Sequence, residues 1–377
     1  MDPWQSLKTS AYQTRGWTYQ EFFFSRRRLI FSDFQVWFEC RSLCTGPHQQ
    51  ESLSCPPRHL FSEMPDSEHI EDDSLEDAYF HKLSKQSKDI IYGTDGSIEY
   101  REISHVEKVF VLLSYEHHVL EFTKRKLTFE ADSLQAVSSI LDRFTSATHS
   151  IYHLHGVPFI PQDMNYIEAG RHHGFQFKYG LLWTHGPLAP PCRRRAAFPS
   201  WTWAGWEAPV NWLVSTTDIE NFHESPPKAA TFNYLRSTGG KRSKLCSVEK
   251  WRPSQQSSSH PNELIFSALL YRIPLRASGE AGGEQNGIYL DAQEPFRSRL
   301  HVTQIGLESA TIKRKHFHGL WLGWNSQMSV NYVLVVQQTT SRDNRFGGKY
   351  YERVGVIMIS REWYGWTAPL GIQGLLV

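Results

Sequence analysis

Asn331-Tyr-Val-Leu-Val-Val336 is a short run of β-branched, aromatic and aliphatic residues closed by Gln337 and Gln338. Its length and composition predict a buried strand. Working outward, Glu263-Leu-Ile-Phe-Ser-Ala-Leu-Leu270, Gly287-Ile-Tyr-Leu290 and Arg353-Val-Gly-Val-Ile-Met-Ile359 carry the same signal. From about residue 180 the chain is broken by Pro and Gly, and the polar stretches Ser237 to Lys244 and Pro253 to Pro261 read as surface excursions. No repeat of fixed period is present. This half is expected to be a mainly antiparallel sheet or open barrel.

Upstream the periodicity changes. Ile103, Val106, Phe110, Leu113 and His117 recur at three- and four-residue steps, which predicts a helix over 102–123. Asp132 or Ser133 can cap a second helix with Leu134, Val137, Ile140, Leu141 and Phe144 on its apolar side. Two such helices joined by a short connection read as a helical hairpin. Nearer the start, Thr18 and Glu21 fit a capping box ahead of Phe22-Phe-Phe24. Arg28 to Ser32 and Gln35 to Cys40 read as two strands around Asp33-Phe34, with Val36 and Phe38 alternating against Trp37 and Glu39 as in a half-buried hairpin. Residues 62–77 hold Glu63, Asp66, Glu68, Glu71, Asp72, Asp73, Glu76 and Asp77 and no Lys or Arg, so this stretch reads as a solvated connector.

Composition narrows the function classes. The 377 residues carry 40 Lys and Arg against 39 Asp and Glu, a net charge of +1, which argues against a surface built for nucleic acid. Trp4, Gln5, Lys8 and Thr9 interrupt any apolar run at the start, so no secretory leader is expected. No stretch is apolar for long enough to predict a membrane-spanning helix. Five scattered Cys do not form a disulfide framework, and the reading is a reduced, cytoplasmic protein. The Gly-x-Gly-x-x-Gly, Gly-x-Ser-x-Gly, His-Glu-x-x-His and phosphate-loop patterns are all missing from the sequence, so no cofactor is expected. The pairs His117-His118 and His172-His173 cannot chelate as neighbours, and His153-x-His155 and His316-x-His318 lack a third ligand at motif spacing. No metal site is expected. Arg26-Arg-Arg28 and Arg193-Arg-Arg195 read as solvated charge, with oxyanion contact as the alternative.

The densest cluster is Phe198-Pro-Ser-Trp201-Thr-Trp203-Ala-Gly-Trp206. Trp201, Trp203 and Trp206 form either a core plug that pins a helical layer onto the sheet, or, if exposed on one face, an aromatic binding surface.

Arg15-Gly-Trp-Thr-Tyr-Gln-Glu21, with Ser25-Arg-Arg-Arg-Leu-Ile-Phe31 and Val36-Trp-Phe-Glu-Cys40, resembles the last conserved block of the fungal heterokaryon-incompatibility (HET) domain. Leu127-Thr-Phe-x-x-Asp132-x-Leu-x-Ala136 and the 198–206 cluster are similar to segments found downstream of that domain. The family's earlier blocks are missing from this sequence. The resemblance implies an α+β protein: residues 1–45 as the C-terminal remnant of an α/β HET domain, 46–80 as an acidic linker, 81–180 as a helical region and 181–377 as a Trp-rich β domain. It implies nonself recognition and cell-death signalling through an unidentified protein partner, without nucleic acid or membrane. Arg15, Trp17, Thr18, Gln20 and Glu21 carry over as the motif. The enzymatic alternative is a NAD-consuming or other hydrolytic activity of TIR-like type, with Glu21 as the one carboxylate there fit for acid–base or ribose-binding work. A nucleotide pocket on that reading depends on the absent half.

Overall fold

The structure is a computed structural model. It describes residues 10–25, 27–31, 36–40, 43–45, 91–92, 98–99, 105–146, 151–160, 177–185, 192–214, 222–223, 230–237, 243–248, 263–277, 288–291, 300–302, 316–339, 349–362 and 370–376. The 62–77 acidic stretch and the 253–261 excursion lie outside them. Helices and a mainly antiparallel, β-rich region make the fold α+β. Two compact units divide the chain: residues 1–108 with 121–150, and residues 109–120 with 151–377. Both units are thus discontinuous in sequence, whereas the boundaries read from the sequence ran end to end.

In the first unit the Trp17–Phe24 helix packs against the Gln135–Ser146 helix. Ala136, Val137, Ile140, Leu141 and Phe144 are buried, as the apolar period requires. This pairing joins segments more than 110 positions apart. Arg143 reaches across, its guanidinium 5.7 Å from the Phe23 ring and 5.8 Å from the Phe24 ring. After Ser25 the strands Arg27–Phe31, Val36–Cys40 and Leu43–Thr45 form a three-stranded antiparallel sheet in that order.

The His105–Thr123 helix confirms the expected element but turns a different side inward. Val111, Leu112, Tyr115, Val119 and Phe122 are buried, while Leu113 and His117 keep partial exposure. Apolar residues occupy more than one side of this helix, so periodicity alone does not choose the packed face.

The second unit is built on a closed ring of strands. Phe317–Asn325 pairs with Val330–Gln338, which pairs with Lys349–Ser360. Lys349–Ser360 meets Leu370–Leu376, which pairs with Leu264–Ile273, and that strand returns to Phe317–Asn325. Four pairings in the ring are antiparallel and the Lys349–Tyr351 contact with Gly374–Leu376 is parallel. The sheet expected to be open closes on itself, which satisfies edge hydrogen bonds that an open sheet leaves bare. One face holds Ile273, Phe317, Val333, Val335, Val354, Ile357 and Ile359 with Ile288 and Leu290 from a flanking strand. Gly319 has no room for a side chain there, because an added Cβ would lie 2.6 Å from Val333 Cγ1.

A bulge separates the two faces at one point. Val335 lies opposite Gly355 and Val336 opposite Arg353, so Val354 is the extra residue. The inserted residue turns Val354 into the cluster with Ile357 and Ile359, and leaves Arg353 on the other side of the sheet.

Candidate functional site

The Arg15–Glu21 block docks on the chain that follows the His105–Thr123 helix. The Gly16 amide donates to the Lys126 carbonyl at 2.8 Å, and the Lys126 amide donates to the Thr14 carbonyl at 2.7 Å. A Cβ on Gly16 would sit 2.4 Å from Leu127 Cδ2, so a larger residue here would have to displace the Leu127 side chain. Trp17 Nε1 donates to Asp132 Oδ2 at 3.0 Å. Tyr19 is buried beside Phe122, with ring centroids 6.2 Å apart. Two blocks distant in sequence, both singled out from their residue pattern, therefore form one packed assembly.

The capping box is not formed. The helix begins at Trp17 with Gly16 as its cap, which places Thr18 inside the first turn and buries it. Its hydroxyl lies 2.5 Å from the Tyr12 carbonyl and 2.7 Å from the Arg15 carbonyl, as a shared donor. Arg125 supplies the other side: Nη1 donates to Thr18 Oγ1 at 3.4 Å and Nη2 to Gln13 Oε1 at 2.7 Å. The guanidinium lies 4.8 Å over the Tyr19 ring, and burial holds its pKa below the usual value. Glu21 is exposed on the same helix, Gln20 is half-buried, and Arg15, which precedes the helix, is exposed. The Glu21 carbonyl accepts from the Ser25 amide at 3.1 Å and from Ser25 Oγ at 2.7 Å, ending the helix.

The strand after that helix has an unexpected orientation. Arg28, on the covered side, stacks its guanidinium 3.5 Å from the Phe22 ring centroid and donates to the Phe22 carbonyl at 3.0 Å. Strand alternation then sends Arg27, Leu29 and Phe31 to the open side. Leu29 lies opposite Phe38 and Phe31 opposite Val36, so all four apolar residues share one face. They are 57%, 39%, 72% and 46% exposed in that order. Val36 and Phe38 were expected on the buried side of this hairpin. The stacking of Arg28 on Phe22 fixes the opposite orientation.

In the second unit Trp201, Trp203 and Trp206 are at most 2% exposed, which removes them as an open aromatic surface. They act as a plug in which the Trp203 and Trp206 indoles donate to backbone carbonyls. Trp203 Nε1 donates to the Gly156 carbonyl at 2.5 Å and Trp206 Nε1 to the Ser200 carbonyl at 2.9 Å. The Trp201 carbonyl accepts from Trp183 Nε1 at 3.0 Å. His155 and Gly156 both have positive φ, 48° and 82°, in the tight turn between Tyr152–Leu154 and Val157–Phe159. The turn presents the Gly156 carbonyl to Trp203 and to the Tyr115 hydroxyl, which donates at 3.0 Å.

The 193–195 basic triad divides: Arg193 is exposed charge that meets a carboxylate, as expected, whereas Arg194 and Arg195 turn to backbone carbonyls. Arg194 donates to the Gly205 and Phe198 carbonyls at 3.0 and 2.5 Å, and buried Arg195 donates to the Trp206 carbonyl at 2.6 Å. Arg193 pairs with Glu207 at 2.6 Å on the surface. Two guanidiniums thus clamp the loop that carries the tryptophans.

Arg353 was not singled out from the sequence, although a lone cation heading Val-Gly-Val-Ile-Met-Ile is a readable anomaly. It is fully buried. Nη1 donates to the Leu181 carbonyl at 2.7 Å, Nη2 donates to the Trp183 carbonyl, and its amide donates to Ser200 Oγ at 3.0 Å. Burial pushes its pKa well below the usual arginine value. Nearby, His185 Nδ1 lies 2.9 Å from the Pro209 carbonyl. Burial is the main cause that pushes the His185 pKa down to about 4, with the Arg353 and Arg195 charges adding to it and the Pro209 contact opposing. The neutral imidazole therefore donates from Nδ1. Glu116 accepts from the Tyr179 hydroxyl at 2.8 Å, and burial pushes its carboxyl up to about 8 against that bond.

Among the described residues no group of three His, Cys, Asp or Glu side chains is placed to hold a metal ion. Among the same residues no helix is long and apolar enough to cross a membrane. The chain matches no protein-family model, no curated protein and no solved structure.

Proposed function

We propose that the chain is a protein-interaction module of the heterokaryon-incompatibility class, acting in fungal nonself recognition and cell-death signalling. The observation that carries the interaction reading is the open face of Leu29, Phe31, Val36 and Phe38. Four large apolar side chains gathered on one exposed sheet face mark a surface that a partner covers, unlike apolar residues scattered singly. The packing of Arg15–Glu21 onto Lys126–Asp132 supports the class assignment, because it joins two of the blocks on which the resemblance rests. Arg195, Arg353 and Trp203 of the second unit direct their buried donors to backbone carbonyls, which favours a scaffold over a reaction centre.

The test is expression of the chain in a filamentous fungal host, scored for growth arrest. Arrest by the unsubstituted chain and its loss in Phe31→Asp are expected. Equal growth with and without the chain would sink the signalling assignment. The alternative of a NAD-consuming site at Glu21 makes a different demand. Purified chain would have to release nicotinamide from NAD, and Glu21→Ala would have to stop it.

A further inference from the structure

Three strands of the ring bring basic side chains to one place. Arg272 of Leu264–Ile273 lies directly opposite His318 of Phe317–Asn325, and its Nη2 lies 2.8 Å from Nδ1 of His316. An arginine only donates, so His316 accepts at Nδ1 and carries its proton on Nε2. Lys349 comes from the third strand. It stands two residues before Tyr351, and strand alternation sets the two on one side. The Tyr351 ring meets the His318 ring edge-on, with centroids 6.1 Å apart. Arg272, His316 and Lys349 are exposed and His318 is half-buried.

This gathering of like charge is costly. Basic groups opposite one another across a sheet repel, and protein surfaces ordinarily intersperse the two signs. Among the described residues no carboxylate pairs with any of the four. Burial lowers the His318 pKa, and His316, Lys349 and Arg272 each lower it further. His318 Nδ1 is also shielded from solvent and has no hydrogen-bond partner among the described residues. The charge is a local feature, since the whole chain carries only +1. A metal ion does not fit the pair of imidazoles: the arginine already occupies Nδ1 of His316, and the surrounding cations repel another. An anion fits both constraints. The Arg272 guanidinium keeps further N–H donors, Lys349 brings an ammonium group, and His316 offers Nε2–H.

We propose that Arg272, His316, His318 and Lys349 form a binding site for a phosphate group. A tetrahedral dianion has enough oxygens to accept from donors on three strands at once, and a guanidinium beside an ammonium is a favoured combination for it. The bound anion would offset the repulsion among the four side chains and draw a proton onto His318.

The test is a proton NMR titration of the full chain, reading the imidazole Cε1–H signals while inorganic phosphate replaces chloride at constant ionic strength. His316→Gln and His318→Gln assign the two signals. Saturable shifts of both are expected in the millimolar range, with the His318 titration moved to higher pH. Arg272→Gln and Lys349→Gln should each weaken phosphate binding at least ~10-fold. Both positions are exposed, and unchanged circular dichroism would show that the variants fold. Arg361→Gln removes the same charge beyond the opposite end of Lys349–Ser360 and should leave binding unchanged. Phenyl phosphate is the second probe. Tighter binding of the monoester shows that the phosphate arrives on a carrier, equal binding that the free anion suffices, and either supports the site. Signals that respond alike to chloride and phosphate overturn the proposal. So does an Arg361→Gln chain weakened as much as Lys349→Gln, or a preference of the two imidazoles for zinc over phosphate.

Discussion

The Arg353 guanidinium stacks 3.7 Å from the Trp183 ring centroid while donating a hydrogen bond to the carbonyl of the same residue. One side chain, aimed by a one-residue bulge, thereby ties the Leu181–Trp183 segment to a barrel strand. The guanidinium is thus held by two carbonyl oxygens and an aromatic face.

Arg353→Ala should cost ~3–5 kcal/mol, because it leaves a cavity and strips the donors from two buried carbonyls. Arg353→Met should cost less, since it refills the space and removes the buried charge. Urea unfolding followed by tryptophan fluorescence gives both values. Equal stability of wild type and Arg353→Ala would contradict the clamp.

Gly156 is required twice over. Its φ is +82°, and an added Cβ would lie 2.4 Å from Trp203 Cζ2. Gly156→Ala should lose at least ~2 kcal/mol from backbone strain and overpacking together. In Trp203→Phe the Gly156 carbonyl loses an indole donor but keeps Tyr115, so a smaller loss than Trp203→Ala is expected in the same melts.

Two buried groups give opposite pH slopes. His185 has a folded pKa of about 4, below the ordinary 6.5, so the unfolded chain binds the proton first. Its contribution is complete above pH 6.5 and is lost as pH falls toward 4, by ~3 kcal/mol at most. Glu116 has a folded pKa of about 8, above its ordinary 4.5, so its contribution is complete below pH 4.5 and is lost as pH rises toward 8. His185→Phe should flatten the loss of stability as pH falls from 6.5 toward 4, and Glu116→Gln the loss as pH rises from 4.5 toward 8. Urea midpoints between pH 4 and 8 for the three chains separate the two effects.

Trp17 and Asp132 form a side-chain hydrogen bond between the two blocks of the first unit. Trp17→Phe and Asp132→Ala should each destabilise that unit by ~1 kcal/mol or more, and the double variant should cost less than their sum. Strict additivity in hydrogen-exchange protection of the Trp17–Phe24 amides would show that the bond is not made. Glu21→Ala, exposed on the same helix, should stay within ~0.5 kcal/mol of wild type.

The elements themselves were legible along the chain. Val330–Gln338, Lys349–Ser360 and Leu264–Ile273 coincide with runs whose composition already demanded burial, and Gln135–Ser146 buries the predicted Val137, Ile140, Leu141 and Phe144. Phe317–Asn325 and Leu370–Leu376 were not legible, since Gly319, Gly323, Gly371 and Gly374 break the strand signal. Those glycines serve packing: Gly374 lies where a Cβ would meet Phe266 at 2.6 Å.

Local pattern is set by near neighbours, and so it reports which segments become helix or strand and which residues must leave water. Which side of a segment wins, and what it meets, depends on contacts between residues far apart. Phe22 under Arg28 turns the Leu29–Phe31 side to solvent, Asp132 accepts from Trp17 across 115 positions, and a single extra residue at Val354 delivers Arg353 to Trp183. None of these partners lies within a helical turn or a strand pleat of the other in a way the chain's periodicity could reveal.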